Sequence, residues 1–342
     1  MRPWPRGRAL SFPAMSDRMP AREASMSPVP PIRYVATEEI RRALAMPDAI
    51  RAVSAALVEL STGRAVVPPR TRLEIAGFRT TALVMPAYLP GQKRIGLKLI
   101  SLCEGNPGRR LPLAQAVTIV MDAENGTPLA VLEAGHLTAV RTGAASGAAT
   151  GALARADARV AAIFGAGVQG RTQLEAVAAV RTLRKAYVVD TDPRAAAAFA
   201  EDMGRALGLE VEPAAAAAAL RDADIVATVT TSAVPVFRDE DLKPGVHINA
   251  VGSYKPHIRE IPGETIRRSS LFVDERRSAL EEAGDILIPL RQGLIDEGHI
   301  RAEIGEVLAG LAPGRRSDEE TTVFKSVGNA VEDLAVAVLV LG

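Results

Sequence analysis

The first third of the chain carries apolar residues at two kinds of spacing. Over residues 37–45 and 48–62 they recur at helical intervals, and the second segment ends at Gly63, as helices commonly do. Shorter apolar runs then flank Pro90-Gly91 and Asn125-Gly126, which are typical turn sequences and predict two β-hairpins. The apolar runs of these hairpins are 83–88, 95–102, 116–122 and 129–133. This part is therefore expected to be α+β.

Beyond residue 155 continuous apolar runs alternate with helical patterns. Such runs are typical of strands covered on both faces, and their alternation with helices predicts a doubly wound parallel sheet. The strands are expected at 160–164, 187–190, 225–230, 247–250 and 271–274, with helices at 168–181 and 193–207. The fold class is thus expected to be α/β, with a doubly wound parallel sheet beside an α+β domain.

Two segments have less distinctive patterns. Residues 142–155 are almost all small, which fits a closely packed helix or a flexible linker, and the abundance of Ala favours the helix. Residues 321–326 and a helix over 328–341 follow a charged loop, and we expect this final stretch to return to the first domain.

Residues 1–31 are rich in Pro and Arg and nearly lack apolar runs, so we interpret them as a disordered extension. A transit peptide is a second interpretation, although the prolines would break an amphipathic helix and no signal-peptide apolar core is present. Translation from Met15, Met19 or Met26 is a third.

Composition narrows the classes of partner. The 342 residues include 41 Lys and Arg against 40 Asp and Glu, so no global charge favours nucleic acid or an anionic membrane. Cys103 is the only cysteine, which fits a reducing, cytoplasmic setting and excludes an internal disulfide. The four histidines lack metal-ligand spacing, and no apolar window approaches the roughly 20 residues of a membrane span. We expect a small-molecule ligand, no metal, no nucleic acid and no membrane.

The sequence Gly-Ala-Gly-Val-Gln-Gly at 165–170 follows a predicted strand and opens a predicted helix. In this context G-x-G-x-x-G predicts a dinucleotide site: Gly165 makes the turn, Gly167 admits the pyrophosphate, and Gly170 lets helix and strand pack closely. Val168 and Gln169 begin the helix whose N–H groups would hold the phosphates. A glycine-rich turn without a ligand is the alternative.

Asp190 ends the next predicted strand, 25 residues after Gly165. A carboxylate there accepts hydrogen bonds from ribose hydroxyls and repels a 2′-phosphate, which favours NAD(H) over NADP(H). Arg194 is near enough in sequence to leave NADP(H) as an alternative, and Asp192 is a candidate helix cap.

Together with the fingerprint, three further motifs resemble the ornithine cyclodeaminase and mu-crystallin family. They are Leu-Thr-Ala-Val-Arg-Thr-Gly-Ala-Ala-Ser at 137–146, His-Ile-Asn-Ala-Val-Gly at 247–252, and Thr-Val-Phe-Lys-Ser-Val-Gly at 322–328 with Glu332-Asp333. The resemblance implies a homodimer. It also implies a substrate-binding and dimerisation domain formed by 32–141 and 315–342 around a Rossmann domain over 142–314.

The resemblance maps a clamp for the substrate carboxylate onto Arg70, Lys98 and Arg141. Three fixed cations from separate segments suit this role, since a guanidinium binds a carboxylate in two places and orients the neighbouring carbon. Each of these residues also has a simpler interpretation when it is considered alone. Lys98 would then lie on a solvated edge strand, Arg70 would be a surface residue, and Arg141 would be a charge at the start of a helix.

Other site residues are weaker candidates. Lys98, or a water that it orients, is expected to protonate or polarise the substrate, and Tyr254, Lys255 and His257 are weaker candidates for the same proton. Tyr254, Lys255 and Met85 are also expected near the substrate. For the cofactor we expect, besides the fingerprint and Asp190, the residues Thr142, Thr230, Val251, Gly252 and Gly328.

Two departures from the cyclodeaminase pattern bear on the substrate. Ornithine cyclodeaminases carry a general-base aspartate after the Asn-Ala-Val-Gly motif and a carboxylate before Met-Pro for the distal amine, whereas this chain has Tyr254 and Leu83. A buried second cation without a partner would be costly, so an uncharged ring suits this site better than ornithine. Mu-crystallin ketimine reductases likewise lack the aspartate and have a cation where this chain has Lys255.

We therefore expect an oxidoreductase that uses NAD(P)H to reduce small cyclic imino acids. Δ1-Pyrroline-2-carboxylate and Δ1-piperideine-2-carboxylate would give proline and pipecolate. An NAD-dependent ornithine cyclodeaminase or amino-acid dehydrogenase is one alternative. A non-catalytic dinucleotide and small-ligand binding protein of crystallin type is another.

Overall fold

The computed structural model describes residues 30–342. The predicted disordered extension at 1–31 therefore lies almost entirely outside the described residues. Among the helices formed by 30–342 we find no candidate for a bilayer-spanning segment. No cluster of three or more potential metal-ligating side chains occurs in this part of the chain.

The helices and strands follow the two patterns of the sequence, which are mixed helices and hairpins in the first third and alternating strands and helices beyond residue 155. The strands are β1 (Arg33–Val35), β2 (Thr71–Ile75), β3 (Thr80–Leu89), β4 (Arg94–Cys103), β5 (Ala114–Asp122), β6 (Pro128–Glu133), β7 (Val160–Phe164), β8 (Lys185–Val189), β9 (Glu210–Pro213), β10 (Ile225–Thr228), β11 (His247–Ala250), β12 (Ser270–Val273), β13 (Ile300–Glu303) and β14 (Thr322–Lys325). The helices are α1 (Thr37–Ala43), α2 (Met46–Ser61), α3 (Ala134–Leu153), α4 (Val168–Val180), α5 (Pro193–Leu207), α6 (Ala216–Asp222), α7 (Gly263–Arg268), α8 (Arg276–Glu282), α9 (Gly284–Arg291), α10 (Ile304–Leu308) and α11 (Ala330–Leu341).

The first sheet has six strands in the order β1-β6-β5-β4-β3-β2. Both predicted hairpins are present, since β3 pairs antiparallel with β4 and β5 with β6. One face of the sheet packs against α11, which in turn contacts α2 and α3. Lys98 therefore lies on a central strand between β3 and β5, and not on an edge.

The run of small residues after Arg141 is helical, as predicted. It belongs to α3, which is buried along most of its 20 residues. A Cβ at Gly143 would lie 2.6 Å from the carbonyl oxygen of Thr172, and one at Gly147 would lie 2.7 Å from Ile50. The small side chains thus let α3 pack tightly between α2 and α4.

The second sheet has eight parallel strands in the order β13-β12-β14-β11-β10-β7-β8-β9. Its strand pattern confirms the predicted α/β class with a doubly wound parallel sheet. The carboxyl ends of β7, β8, β10, β11 and β14 meet at one edge, so the loops that follow them converge there.

Two of the expected domain boundaries differ from the arrangement of the sheets. The boundary at 141/142 falls inside α3, which continues through it without a break. The segment 315–342 is expected in the first domain, but β14 pairs with β11 and β12 in the second sheet. Only α11 returns to the first sheet, because its apolar residues pack against β3, β4 and β5.

Candidate active site

The glycine-rich turn between β7 and α4 has the form that a dinucleotide site requires. Gly165 has a φ of 110°, and a Cβ there would lie 2.9 Å from the carbonyl oxygen of Val229. A Cβ at Gly170 would lie 2.0 Å from the carbonyl oxygen of Gly165. A Cβ at Gly167, in contrast, would meet no atom within 4 Å, so this stretch of backbone is open to a ligand.

The start of α4 also suits an anion. Gly167 is its N-cap and provides no side-chain oxygen to its free N–H groups. Val168, the first residue of the helix, has an exposed side chain. Unsatisfied N–H groups at a helix start, together with the positive end of the dipole, favour a phosphate. The residues present therefore fit the predicted dinucleotide.

Asp190 lies directly after β8 and beside the turn. Its Oδ2 accepts a hydrogen bond from the backbone N–H of Ala166 at 2.7 Å, and its Oδ1 accepts one from the backbone N–H of Asp192 at 2.9 Å. The carboxylate thus also braces the fingerprint turn. Asp192 caps α5 by accepting from the N–H of Arg194, as expected.

A pocket of about 280 Å³, which we call the central pocket, lies between the fingerprint edge and the first sheet. Its volume is just below the range typical of drug-sized ligand sites, which suits a small ligand. Its lining contains most of the predicted site residues, namely Arg70, Met85, Lys98, Arg141, Thr142, Gln169, Thr230, Val251, Gly252, Tyr254 and Gly328. Leu83 and Ile100 form part of an apolar wall, and among the lining residues none is acidic.

The three predicted cations reach this pocket from three separate elements. Arg70 precedes β2, Lys98 is in the middle of β4, and Arg141 is in α3. All three line the central pocket. Lys98 is only 2% exposed, which excludes a solvated edge position.

Lys98 is held by a carboxylate behind the pocket. Its Nζ donates to Oδ2 of Asp333 in the first turn of α11, at 2.5 Å. Burial lowers the pKa of Lys98 to about 8, against the attraction of Asp333, which favours the charged form. A lysine with a pKa this close to neutrality is suited to proton transfer.

Arg141 contacts two carboxylates of the same helix turn. Its Nη1 donates to Oε2 of Glu332 at 2.8 Å, and its Nε donates to Oδ1 of Asp333 at 3.1 Å. Burial disfavours the charge on Arg141, but Asp333 and Glu332 outweigh this effect, so its pKa is raised. Burial raises the pKa of Glu332 to about 7 despite the opposing effect of Arg141.

These pairs correct one part of the sequence interpretation. The sequence analysis assigned three cations to the clamp without naming partners for them, but two of these cations are already paired with Asp333 and Glu332. The physical reason is that isolated buried charges are too costly to maintain without partners. The carboxylates lie behind the cations, so the pocket wall itself stays without an acid.

Arg70 is the more accessible of the two clamp arginines. Its Nη2 donates to the carbonyl oxygen of Gly328 at 2.8 Å, and its Nε lies 3.1 Å from Oε1 of Glu282. Gly328 has a φ of 81°, and a Cβ there would lie 2.4 Å from Nη1 of Arg141. This glycine therefore makes room for Arg141 while its carbonyl orients Arg70.

The weaker substrate candidates separate into two groups. Met85 and Tyr254 line the central pocket, but Lys255 does not. Lys255 and His257 instead line an adjoining cavity of about 520 Å³. The Nζ of Lys255 lies 3.8 Å from Glu104 and above the ring of Tyr254. Lys255 therefore contacts the exposed Glu104 and the outer side of the pocket, and it does not line the pocket together with Lys98.

The cofactor candidates after β10 and β11 rest on a buried acid that the sequence analysis missed. Oε1 of Glu260 accepts from both the N–H and the hydroxyl of Thr230, each at 2.6 Å. A Cβ at Gly252 would lie 2.4 Å from Oε2 of Glu260. Glu260 therefore holds the loop that contains Thr230. Only a glycine at position 252 leaves room for the carboxylate of Glu260.

Other supporting residues were also missed. Oδ2 of Asp274 accepts from the N–H groups of Val327 and Gly328 and from the hydroxyl of Ser326. Lys325 is fully buried and lies 2.9 Å from Asp285. Only the pair Glu332-Asp333 carried a sequence signal, as part of a family motif, while Glu260 and Asp274 lie in segments without a distinctive pattern.

The comparisons with known proteins agree with this geometry. The family model described as "Ornithine cyclodeaminase/mu-crystallin family" matches residues 33–341. The chain belongs to this family. The match covers both sheets and α11, and it confirms the resemblance inferred from the motifs.

Among curated relatives, the chain is 40% identical over 305 residues to a Δ1-pyrroline-2-carboxylate reductase of Bacillus cereus, covering 89% of this chain and 94% of that protein. It is 35% identical over 291 residues to the ketimine reductase mu-crystallin of Mus musculus, covering 84% and 89%. The relatives also include an alanine dehydrogenase of Archaeoglobus fulgidus, at 37% identity over 306 residues, covering 89% of this chain and 92% of that protein.

Solved structures of similar proteins share the fold. The Δ1-pyrroline-2-carboxylate reductase of Thermococcus litoralis, in complex with NADH and L-proline, is similar with a TM-score of 0.88 and 42% identity, covering 90% of this chain and 96% of that chain. An archaeal alanine dehydrogenase dimer with bound NAD has a TM-score of 0.86 and 35% identity, covering 90% and 94%.

Proposed function

We propose that the chain is an NAD(H)-dependent reductase of small cyclic imino acids. Δ1-Pyrroline-2-carboxylate and Δ1-piperideine-2-carboxylate would be reduced to proline and pipecolate. The observation that carries this proposal is the central pocket, where Arg70, Lys98 and Arg141 converge opposite an apolar wall. A ring with one carboxylate and no distal charge is complementary to such a pocket.

The residues of the chain have separable tasks in this reaction. Arg70 and Arg141 bind the carboxylate, which fixes the adjacent C=N carbon within the pocket. The bound dinucleotide supplies the hydride for that carbon. Lys98 donates a proton to the ring nitrogen, so the C=N bond becomes CH–NH, and the lysine regains its proton from water. The apolar wall near Leu83 excludes water from the other side of the ring.

The fingerprint and its neighbours hold the dinucleotide in this proposal. Gly167 and the start of α4 would hold its phosphates, and Asp190 would accept hydrogen bonds from the ribose. The solved complexes of similar proteins contain NADH or NAD, which supports NAD(H) over NADP(H). Replacing Asp190 with Ser should weaken discrimination against NADPH.

The test is an assay of NADH and NADPH oxidation against the two imines, with alanine, ornithine and lysine tested in the oxidative direction. We expect NADH consumption with the imines. Ornithine should release no ammonia, because Leu83 occupies the place where a carboxylate would bind its distal amine. Ammonia release without net NADH formation would instead establish a cyclodeaminase. NADH binding without any turnover would establish a binding protein.

A homodimer is a further part of the proposal. On the face of the first sheet opposite α11, the side chains of Leu73, Ile95 and Leu99 are 58%, 37% and 46% exposed. Several apolar side chains left exposed on one face of a sheet are candidates for an interface. Light scattering should give twice the chain mass, and Leu99→Asp should shift the protein towards monomer. A wild-type monomer at micromolar concentration would contradict this assembly.

We also propose a cytoplasmic location, on the basis of the single cysteine and the reducing compartment that it fits. Fractionation of cells that express the full chain, followed by immunoblotting, tests it. Recovery in a membrane or exported fraction would contradict it.

A further inference from the structure

One carboxylate connects two of the three cations in the central pocket. Oδ2 of Asp333 lies 2.5 Å from Nζ of Lys98, and its Oδ1 lies 3.1 Å from Nε of Arg141. Asp333 is 1% exposed and Lys98 is 2% exposed, so water screens this pair very little. Asp333 itself does not line the pocket. It therefore acts on a ligand only through the cations that it holds.

The local structure places Asp333 beside Lys98. Gly96 and Lys98 are on the same buried face of β4, two residues apart. A Cβ at Gly96 would lie 2.9 Å from the side chain of Leu334, so this glycine lets the first turn of α11 approach the strand. Asp333 also lies in the first turn of α11, and the start of a helix favours a negative side chain.

The charges around the pair come from each element packed against it. Arg141 on α3 disfavours a charged Lys98, while Glu332 on α11 favours it to a smaller extent than Asp333. Asp274, after β12, faces Glu332 from the second sheet. Among these groups, Asp333 is the one that hydrogen bonds to Lys98.

We propose that Asp333 is the positioning residue that keeps Lys98 protonated and directs its ammonium group towards the pocket. This inference rests on the proposed role of Lys98 as proton donor. Burial without a counter-ion strongly favours the neutral amine of lysine, which has no proton to give to an imine nitrogen. The Asp333 carboxylate compensates for that loss of hydration. The same carboxylate holds Arg141, so it couples the carboxylate clamp to the proton donor.

The test is Asp333→Asn, which keeps the size of the side chain and removes its charge. We expect the protonation midpoint of Lys98 to fall by at least one pH unit from its wild-type position near 8. At pH 8 a fall of one unit cuts the protonated fraction from about one half to about one tenth, roughly five-fold. The alkaline limb of the kcat/KM profile should move to lower pH by the same amount. A merely structural Asp333 would lower stability or kcat and leave this midpoint in place.

A readout that needs no turnover separates this proposal from the proposed function. The chain has only six lysines, so selective 13Cε-lysine labelling gives few signals, and Lys98→Arg identifies the one from Lys98. Its pH titration in the free protein reports the midpoint directly. An unchanged midpoint in Asp333→Asn overturns the inference, even if imines are reduced. A lowered midpoint without any imine reduction supports the role of Asp333 and contradicts the proposed reaction.

Glu332→Gln is the matched control, because it neutralises the adjacent carboxylate that contacts Arg141 and not Lys98. Its effect on the Lys98 midpoint should be distinctly smaller than that of Asp333→Asn, and an equal or larger effect would contradict the specific role of Asp333. If Asp333→Asn does not fold, Asp333→Glu displaces the carboxylate by one methylene and keeps its charge. Because the charge is retained, the midpoint should stay within one unit of its wild-type position, and a larger fall would contradict the proposal.

Discussion

Arg70→Ala is the most informative test of the carboxylate clamp. Arg70 is expected to contribute a charge-assisted hydrogen bond to the ligand, and losing one costs about 1.5–3 kcal/mol. This corresponds to a loss of roughly 10- to 150-fold in kcat/KM for Δ1-pyrroline-2-carboxylate. The loss should appear mainly as a higher KM, since in the proposed reaction Arg70 binds the carboxylate and does not transfer the proton.

The structure favours Arg70 over Arg141 for this experiment. Removing Arg70 leaves Glu282 without its counter-ion, but that side chain is 23% exposed and water can hydrate it. Removing Arg141 would leave Glu332 and Asp333 buried without a guanidinium partner, and breaking a buried pair in this way costs about 3–5 kcal/mol of stability. The kinetic effect of Arg141→Ala would therefore be mixed with unfolding.

The assay is the initial rate of NADH oxidation as a function of imine concentration, with thermal unfolding measured in parallel. Arg64→Ala is the control, because Arg64 is exposed and lies only six residues before Arg70. It should leave kcat/KM within about two-fold of the wild type, since surface substitutions usually have small effects. An Arg70→Ala variant with unchanged KM and kcat would refute the assignment of Arg70 to the clamp.

Three further predictions concern the cofactor turn and buried titratable groups. In Gly170→Ala the new Cβ would lie 2.0 Å from a carbonyl oxygen, so NADH binding measured by fluorescence should weaken by about ten-fold or more. The control Gly151→Ala has open space around the new Cβ and should bind NADH like the wild type. Burial raises the folded-state pKa of Glu332 to about 7, so its contribution to stability is complete below pH 4.5 and is lost as the pH rises through 7. The Tm of wild type should thus fall more between pH 5 and 8 than that of Glu332→Gln. Burial lowers the pKa of His247 to about 3, so the contribution of the neutral imidazole to stability is lost as the pH falls below 6.5. The variant His247→Gln should therefore show a flatter dependence of Tm on pH between pH 6.5 and 4.

The sequence predicted those elements whose patterns are local. The fingerprint at 165–170 and the hairpin at Asn125-Gly126 are encoded by a few adjacent residues with backbone requirements of their own, so they could be located without tertiary information. Lys98 was also identifiable, because a charged residue within an apolar strand is conspicuous. The contacts of Lys98 could not be predicted, because its partner Asp333 is 235 residues away in sequence.

The parts that were missed depend on tertiary contacts. β14 reads like any short apolar strand, and only the sheet reveals that it pairs between β11 and β12 and not in the first domain. Glu260 is one acid among many in the sequence, and its role follows from the approach of Thr230 and Gly252 from two other loops. Similarly, the predicted domain boundary at 141/142 was placed where the composition changes. The backbone of α3 continues through this point as one helix.

The pairing of Lys98 and Arg141 with Asp333 and Glu332 explains how a carboxylate clamp can be buried before any ligand binds. Two cations and two carboxylates form a compact neutral group, which avoids the desolvation cost of isolated charges. In the proposed reaction, a ligand carboxylate would add one negative charge to this group, and Glu332, with a pKa of about 7, is placed to take up a proton in response. The ligand thereby gains the attraction of both cations while the buried cluster returns towards neutrality. If the proposed clamp binds the substrate, the acidic pair on α11 thus belongs to that site together with the residues that touch the substrate.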